Sequence, residues 1–468
     1  MSIRHRLPWY RAIRRAWLGT SRRLALCWLC LLLSCGTAVA EQRLLFLAAA
    51  PVQAGKFEKL RPLAEAAGLQ LDYRMLDAPG LLPSREALAE YDLLIIDAPY
   101  GASQALAQQR AAPLLEGQAL PWLWLRRDGS RSNQLPGELV EQLDRYYSNG
   151  GPGNFAGFFC RLAAQLQART AQDCAAPEIH PPFAIYHPQA QGRLFTDLDS
   201  YARWKGVGLQ PATPVIGVLF HKAYMDAGLT GFIDATIARL EAAGALAVPM
   251  YTSAMGNGEI SQLLAYQGKP RGDVLINMQI MLNANGRKAE FDELGMPVLQ
   301  AMPYRAGEEA DWQADAQGIE VVDIPFYLAQ AEYAGLIDPL VAASTRQADG
   351  DILPIDRQLQ AVVDKALRLA RLQRLAPAEV RSALLFYNYP PGEKNLGASF
   401  LNVPRSLEAL LAAYAERGYD VKTLDEQQLI EELSGLLAPF YRDDQLPGLL
   451  ARDRAGRLPL ADYRAWFA

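Results

Sequence analysis

Short apolar runs alternate with helically spaced stretches along nearly the whole chain. RLLFLA (Arg43–Ala48) reads as a strand, Phe57–Ala67 as a helix with Leu60, Leu63 and Ala64 on one side, and LQLDYRML (Leu69–Leu76) as a strand again. DLLIIDAP (Asp92–Pro99) and LPWLWLR (Leu120–Arg126) continue the order, and LVEQLDRYY and FAGFFCRLAAQLQA follow as helical stretches. Strands that alternate with helices argue for a parallel sheet covered on both faces.

The pattern restarts after a proline cluster (Pro177, Pro181, Pro182, Pro188). PVIGVLF (Pro214–Phe220) leads into a helix with Ile233, Ile237, Leu240 and Gly244 in one stripe. ALAVPMY, DVLINMQ, MPVLQAM and IEVVDIPF (Ile319–Phe326) follow as strands, and Asp356–Leu375 as a long helix. A third unit is expected from SALLFYNY (Ser382–Tyr389), a helix carrying Leu407, Leu410, Leu411 and Tyr414, and the strand YDVKTL (Tyr419–Leu424). The expected fold class is therefore α/β: several consecutive parallel-sheet, flavodoxin-like units with additional helices. The expected division is a leader (1–40), an N-terminal α/β domain (41–176), a second α/β domain (177–376) and the start of a third unit (377–468). The apolar ending Trp466-Phe467-Ala468 reads as an interrupted element, so a truncated chain is expected.

The leader has its own chemistry. Seven arginines and no acid precede the run LALCWLCLLL (Leu24–Leu33), which ends in SCGTAVA. That is the layout of a secretory signal peptide, with cleavage expected after Ala40 and a periplasmic location. Leu32-Leu33-Ser34-Cys35 also passes as a lipoprotein box, Ser21-Arg22-Arg23 weakly as a twin-arginine signal, and an uncleaved anchor stays open. Any membrane association is expected through this leader or a lipid on it. Without residues 1–40 the chain carries 39 Lys and Arg against 51 Asp and Glu, a balance of about −12. Such a charge disfavours nucleic acid and anionic membrane surfaces as partners. The two cysteines outside the leader, Cys160 and Cys174, suggest a disulfide in an exported protein.

No phosphate-binding GxxxxGK[ST], dinucleotide GxGxxG, GxSxG or HExxH pattern occurs. With four histidines, one of them in the leader, a multi-histidine metal site is not expected, and no bound cofactor is expected. His221 follows PVIGVLF, at the strand end where α/β folds place ligands. His180 and His187 flank linker prolines.

The stretch Phe386–Pro404, FYNYPPGEKNLGASFLNVP, is stiff and polar at the end of an expected strand. Pro390, Pro391 and Gly392 stop the strand and turn the chain, and Asn402 caps a helix beginning near Pro404. The open N–H groups of such a helix start attract anions. Turn chemistry and a ligand loop both fit this spacing.

This segment, continued through RSLEALLAAYAERGYDV, resembles a hallmark of the CobN/magnesium chelatase large subunits. YYSNGGPGNFAGFFCRLA (Tyr146–Ala163) resembles the family's Gly-Gly-x-x-Asn helix entry. Pro214–Tyr251, LGMPVLQAM, AEYAGLIDPLVAA and LADYRAWFA resemble further pieces in the family's order. The resemblance implies insertion of a divalent metal, cobalt or magnesium, into a tetrapyrrole, as in cobaltochelatase and cobalamin-type biosynthesis, with AAA+ ATPase subunits as partners. It makes Asn388, Pro390, Gly392, Asn395, Gly397, Asn402 and His221 the candidates for holding the ring, with no catalytic residue assigned. The family's H-G-x-x-E-x-x-P-G-K segment is absent. Three readings remain open: an incomplete chelatase large subunit, an exported protein that binds or dechelates a tetrapyrrole, corrinoid or haem, and an inactive remnant.

Overall fold

The structure, a computed structural model, describes residues 42–466 apart from 51, 78–81, 100, 118, 127–128, 169–172, 211, 349, 386–388, 390, 399 and 453–455. The leader and its expected cleavage site lie outside the described residues.

Apolar alternation builds the first layer. β1 (Gln42–Ala48), α1 (Ala54–Ala66), β2 (Leu69–Met75), β3 (Leu93–Asp97), α2 (Gly101–Arg110), β4 (Trp122–Leu125) and β5 (Arg131–Ser132) give a sheet ordered β2-β1-β3-β4-β5. The first four strands run parallel, and β5 closes the edge antiparallel. All five residues of β3 are buried, as a strand covered on both faces requires. On one face, Phe46, Phe57, Tyr147 and Phe158 pack beneath α1, α3 (Gly137–Asn149) and α4 (Gly151–Leu166). Cys160 of α4 is joined to Cys174, with Cα atoms 5.7 Å apart.

The second layer comprises β6 (Ala184–Ile185), β7 (Val215–His221), α5 (Lys222–Ala227), α6 (Gly231–Ala242), β8 (Leu246–Thr252), α7 (Glu259–Leu263), β9 (Val274–Asn277), α8 (Ala284–Leu294), β10 (Val298–Tyr304), β11 (Ile337–Thr345), β12 (Ile352–Pro354) and α9 (Asp356–Leu372). Its sheet is ordered β12-β11-β10-β9-β7-β8-β6, parallel except for the edge strands β6 and β12. The stripe Ile233, Ile237 and Leu240 meets Val362, Val363 and Ala366 of α9 in one core.

The two layers meet through polar contacts. Gly150 has φ +64°, and a Cβ there would lie 2.4 Å from Asp226 Cβ, so only glycine fits. Lys222 Nζ donates to Asp226 Oδ1 at 2.7 Å and to the Asn149 carbonyl at 3.2 Å. Asn154 Nδ2 donates to the Gly150 and Glu178 carbonyls, and its Oδ1 accepts from Glu178 N. Lys59 pairs with Asp351 at 2.8 Å. The Gly-Gly-x-x-Asn entry is thus a joint between layers.

Among the described residues, three expected strands are absent. Ile319–Phe326 is a turn leading into a π-helical segment, Pro325–Ala329. Val321 and Val322 are 67% and 62% exposed, Asp323 is held by Arg305, and Pro325 cannot donate to a ladder. Its place beside β10 is taken by β11, whose early residues are exposed and so lack a buried-strand signature. Among the described residues of Ser382–Tyr389 and Tyr419–Leu424 there is no strand either. Leu385 is 96% exposed, and an extended segment without a hydrogen-bonded neighbour has nothing to hold it as sheet. The third unit is instead the hairpin β13 (Gly397–Ala398) and β14 (Leu401–Asn402) with α10 (Val403–Glu416) and α11 (Glu426–Tyr441).

Candidate functional site

In a parallel α/β sheet the crevice opens at the carboxyl ends, where successive connections depart to opposite sides. In the second sheet that point lies between β7 and β9, because the chain goes from β7 to β8 on one side and then crosses to β9 on the other. His221 ends β7, and Gln279 lies just beyond β9. In the first sheet the corresponding point lies between β1 and β3. The helix after β7, α5, packs against α1 and α4 of the first layer, so the two carboxyl edges face one another.

The edge of the second sheet is lined with buried polar side chains. Asn277 Nδ2 donates to Gln300 Oε1 at 2.7 Å and to the Gln279 carbonyl at 2.9 Å. Gln279 Nε2 donates to the Phe220 carbonyl at 2.7 Å and the Thr252 carbonyl at 3.1 Å. Arg287 of α8 is 1% exposed; it donates to Thr252 Oγ1 at 2.7 Å, the Ser253 carbonyl at 2.9 Å and Glu290 Oε2 at 2.5 Å. Glu290 Oε1 in turn accepts from Ile260 N and Ser261 N at the start of α7. So many satisfied polar groups inside a parallel sheet rigidify the rim at the cost of apolar burial.

His221 stands where the layers touch. Burial, with Arg287 adding repulsion, pushes its imidazole down to about 4, so the ring is neutral at physiological pH. Its Nε2 is buried without a hydrogen-bond partner. Beside it, with ring centroids 6.4 Å apart, lies Tyr224 of α5, which interacts with Tyr327, on the π-helical segment, and with Gln53 of the first layer. Gln53 Oε1 is likewise buried and partnerless. Arg305 Nε grips Asp323 at 3.0 Å nearby. Burial lifts both tyrosines above their ordinary range and raises Asp226 to about 6 against the opposing pull of Lys222. Across the joint, Asp97 accepts from Tyr147 at 2.6 Å and pairs with Lys56 at 3.0 Å. Beside the same joint a groove of about 240 Å³ is lined by Ala54, Tyr73, Arg305, Thr345, Arg346 and Gly350 among others. Among the described residues, no group of three or more His, Cys, Asp or Glu side chains is arranged to hold a metal ion.

The loop candidates lie elsewhere. Asn388 and Pro390 fall outside the described residues. Gly392 N donates to the Tyr441 hydroxyl at 2.8 Å, and Asn395 Nδ2 to the Pro391 carbonyl at 3.2 Å. Gly397 pairs with Asn402 across the hairpin. Asn402 Oδ1 accepts from Arg405 N at 3.1 Å, capping α10, and its Nδ2 reaches Glu426 Oε1 at 2.6 Å. These contacts tie the loop to α10 and α11 rather than to His221. Of the seven ring candidates, the structure groups Gly392, Asn395, Gly397 and Asn402 in one loop and sets His221 in the crevice. Gln53, Tyr224, Arg287 and Tyr327 were not legible as site residues. The one sequence signal of the polar rim is Asn277 and Gln279 inside the apolar DVLINMQ.

Two parallel α/β layers with facing carboxyl edges and a polar rim define a two-layer α/β protein built around a crevice. More narrowly, the chain belongs to the CobN/magnesium chelatase family, whose model matches residues 144–468. It is 28% identical over 357 residues to the aerobic cobaltochelatase subunit CobN of Pseudomonas aeruginosa, covering 72% of this chain and 27% of that one. It is 24% identical over 313 residues to the chloroplastic magnesium-chelatase subunit ChlH of Oryza sativa subsp. indica, covering 62% and 22%. An uncharacterized protein of Methanocaldococcus jannaschii is 27% identical over 368 residues, covering 73% and 29%. The chain thus spans between 22% and 29% of the length of these relatives. Its fold is similar to that of the catalytic subunit of cobaltochelatase from Mycobacterium tuberculosis, with a TM-score of 0.60 at 20% identity over 84% of this chain and 33% of that one.

Proposed function

We propose that the chain holds a tetrapyrrole in the crevice between its two layers, as part of a CobN/magnesium-chelatase-like large subunit. The observation that carries this reading is the crevice itself: two facing carboxyl edges, the second of them within the family-matched region, rimmed by buried polar groups and bearing a neutral histidine with a partnerless nitrogen. The ring and a divalent metal, cobalt or magnesium, would be substrates rather than resident cofactors, and AAA+ chelatase subunits the partners that drive insertion. This chain's own part is to orient the ring, keep water from it and fix its edge. The loop carrying Asn388, Pro390, Gly392, Asn395, Gly397 and Asn402 would supply a second, separate contact to the ring. Titration of the purified protein with metal-free and metallated protoporphyrin, followed by tryptophan quenching, tests the reading. Saturable binding supports it, and no binding of either ring refutes it.

A second reading is supported by the arginine-rich leader and by the Cys160–Cys174 bond, which suits an oxidising compartment. On this reading the protein is exported and binds or strips a metal chelate. Its test is the N-terminal sequence of the protein recovered from the periplasmic fraction. A start at Glu41 supports export, a blocked Cys35 supports a lipid anchor, and an intact Met1 in the cytoplasmic fraction refutes both.

A further inference from the structure

We infer that His221 ligates, through Nε2, the metal at the centre of a metallated tetrapyrrole, so that the crevice distinguishes the metal-bearing ring from the metal-free one. This rests on the proposed tetrapyrrole reading and adds to it the state of the ring that the site prefers.

The argument begins with an unexplained atom. Buried nitrogens and oxygens almost always have partners, and each exception calls for an explanation, such as a bound water, an ion or a functional role. His221 Nε2 is such an exception, in a rim where Asn277, Gln279, Thr252, Arg287 and Glu290 are all bonded. The neighbouring Tyr224, Tyr327 and Gln53 side chains interact with one another, and none of them hydrogen-bonds the imidazole Nε2. The chemistry of the nitrogen suits a metal. Burial and Arg287 keep the ring neutral above about pH 4, and in the tautomer protonated at Nδ1 the Nε2 lone pair is open to a metal. Its place at the end of β7, where the chain order reverses, is the position from which α/β sheets present ligand groups.

A metal-free ring offers such a nitrogen nothing comparable, since its inner N–H groups lie in the ring plane. A metallated ring offers an open axial position perpendicular to that plane. Imidazole is a good ligand for cobalt, iron and zinc, whereas magnesium prefers oxygen, so the softer metals fit better. Reaching Nε2 requires the layers to part. The contacts that hold them are polar, among them Lys222 to the Asn149 carbonyl and Lys59 to Asp351, and polar interfaces of this kind permit relative motion.

The test is a spectroscopic titration of the full protein with iron(III) protoporphyrin and with metal-free protoporphyrin. The expected result is at least about tenfold tighter binding of the iron ring, with the absorbance shift of an axial nitrogen ligand. His221→Gly should lose the shift, added imidazole should restore it, and His180→Ala should keep it. Rescue by imidazole separates ligation from a merely structural role. Equal affinity for both rings overturns the inference but leaves ring binding standing. So does a shift that survives His221→Gly, or one that vanishes in His180→Ala. Binding of neither ring overturns the tetrapyrrole reading and this inference with it.

Discussion

Gly150→Ala puts the joint between the layers to its most direct test. The residue sits at φ +64° and ψ −169°, a region that side-chain-bearing residues rarely enter. Its new Cβ would lie 2.4 Å from Asp226 Cβ and 2.7 Å from Asp226 Cα. The backbone cost of such a conformation is about 1–3 kcal/mol. Forcing a methyl into closed packing adds about 1–3 kcal/mol, since Asp226 Cα is backbone and cannot swing aside. The expected loss is therefore about 2–6 kcal/mol, or about 2 M in urea midpoint for a slope near 2 kcal/mol/M. Gly153→Ala is the control. It lies in the first turn of α4, just after Gly150, with nothing within 4 Å of its Cβ position, so it should be neutral or stabilising by up to about 1 kcal/mol. Urea unfolding followed by tryptophan fluorescence reads both variants. If Gly150→Ala unfolds within about 1 kcal/mol of Gly153→Ala, the joint does not hold the layers as described.

Four further outcomes are expected. Arg287→Met strands the buried Glu290 carboxylate and should cost about 3–5 kcal/mol, and adding Glu290→Gln should regain most of it; a single variant that melts like the parent refutes the rim network. Breaking the Cys160–Cys174 bond by Cys174→Ser should cost about 3 kcal/mol, whereas two alkylated thiols in the unreduced protein would deny the bond altogether. The folded-state value of His221, about 4, lies below the ordinary histidine value of 6.5, so the unfolded chain binds the extra proton first. This contribution is present above pH 6.5 and is lost as pH falls towards 4, and a His221 imidazole found protonated by NMR midway between those limits contradicts it. Gly397→Val should weaken ring binding while leaving the melting curve unchanged, because a Cβ there meets only the Leu401 carbonyl at 3.8 Å; unchanged affinity removes the loop from the site.

The sheets were legible because burial on both faces writes itself into LLIID and VIGVLFH as unbroken apolar runs. His221 was legible for the same reason, as the first polar residue after such a run. The rest of the crevice was not. Arg287 lies on a helix among Asn, Lys and Glu, where its spacing resembles a solvated face, and only contacts with Thr252 and Glu259 bury it. Tyr224, Tyr327 and Gln53 meet from two layers and three distant segments, which no local period encodes. Ile319–Phe326 misled because β-branched residues favour strands, while the partner that bends the segment, Arg305, lies far back in sequence. Asn402 shows the converse: a cap is a short-range device, and the sequence was enough to place it.

The chain of amides from Asn277 through Gln300 and Gln279 to Thr252 also bears on how the second sheet assembles. A sheet of Val, Ile and Leu alone would tolerate a strand sliding along its neighbour, because one aliphatic contact replaces another. Here a one-residue slip of β9 would turn Asn277 to the opposite face and leave Gln300 with an unanswered carbonyl in the interior. Only one alignment satisfies every amide, so the network works as a checksum on strand order, penalising misassembled sheets before the crevice can form.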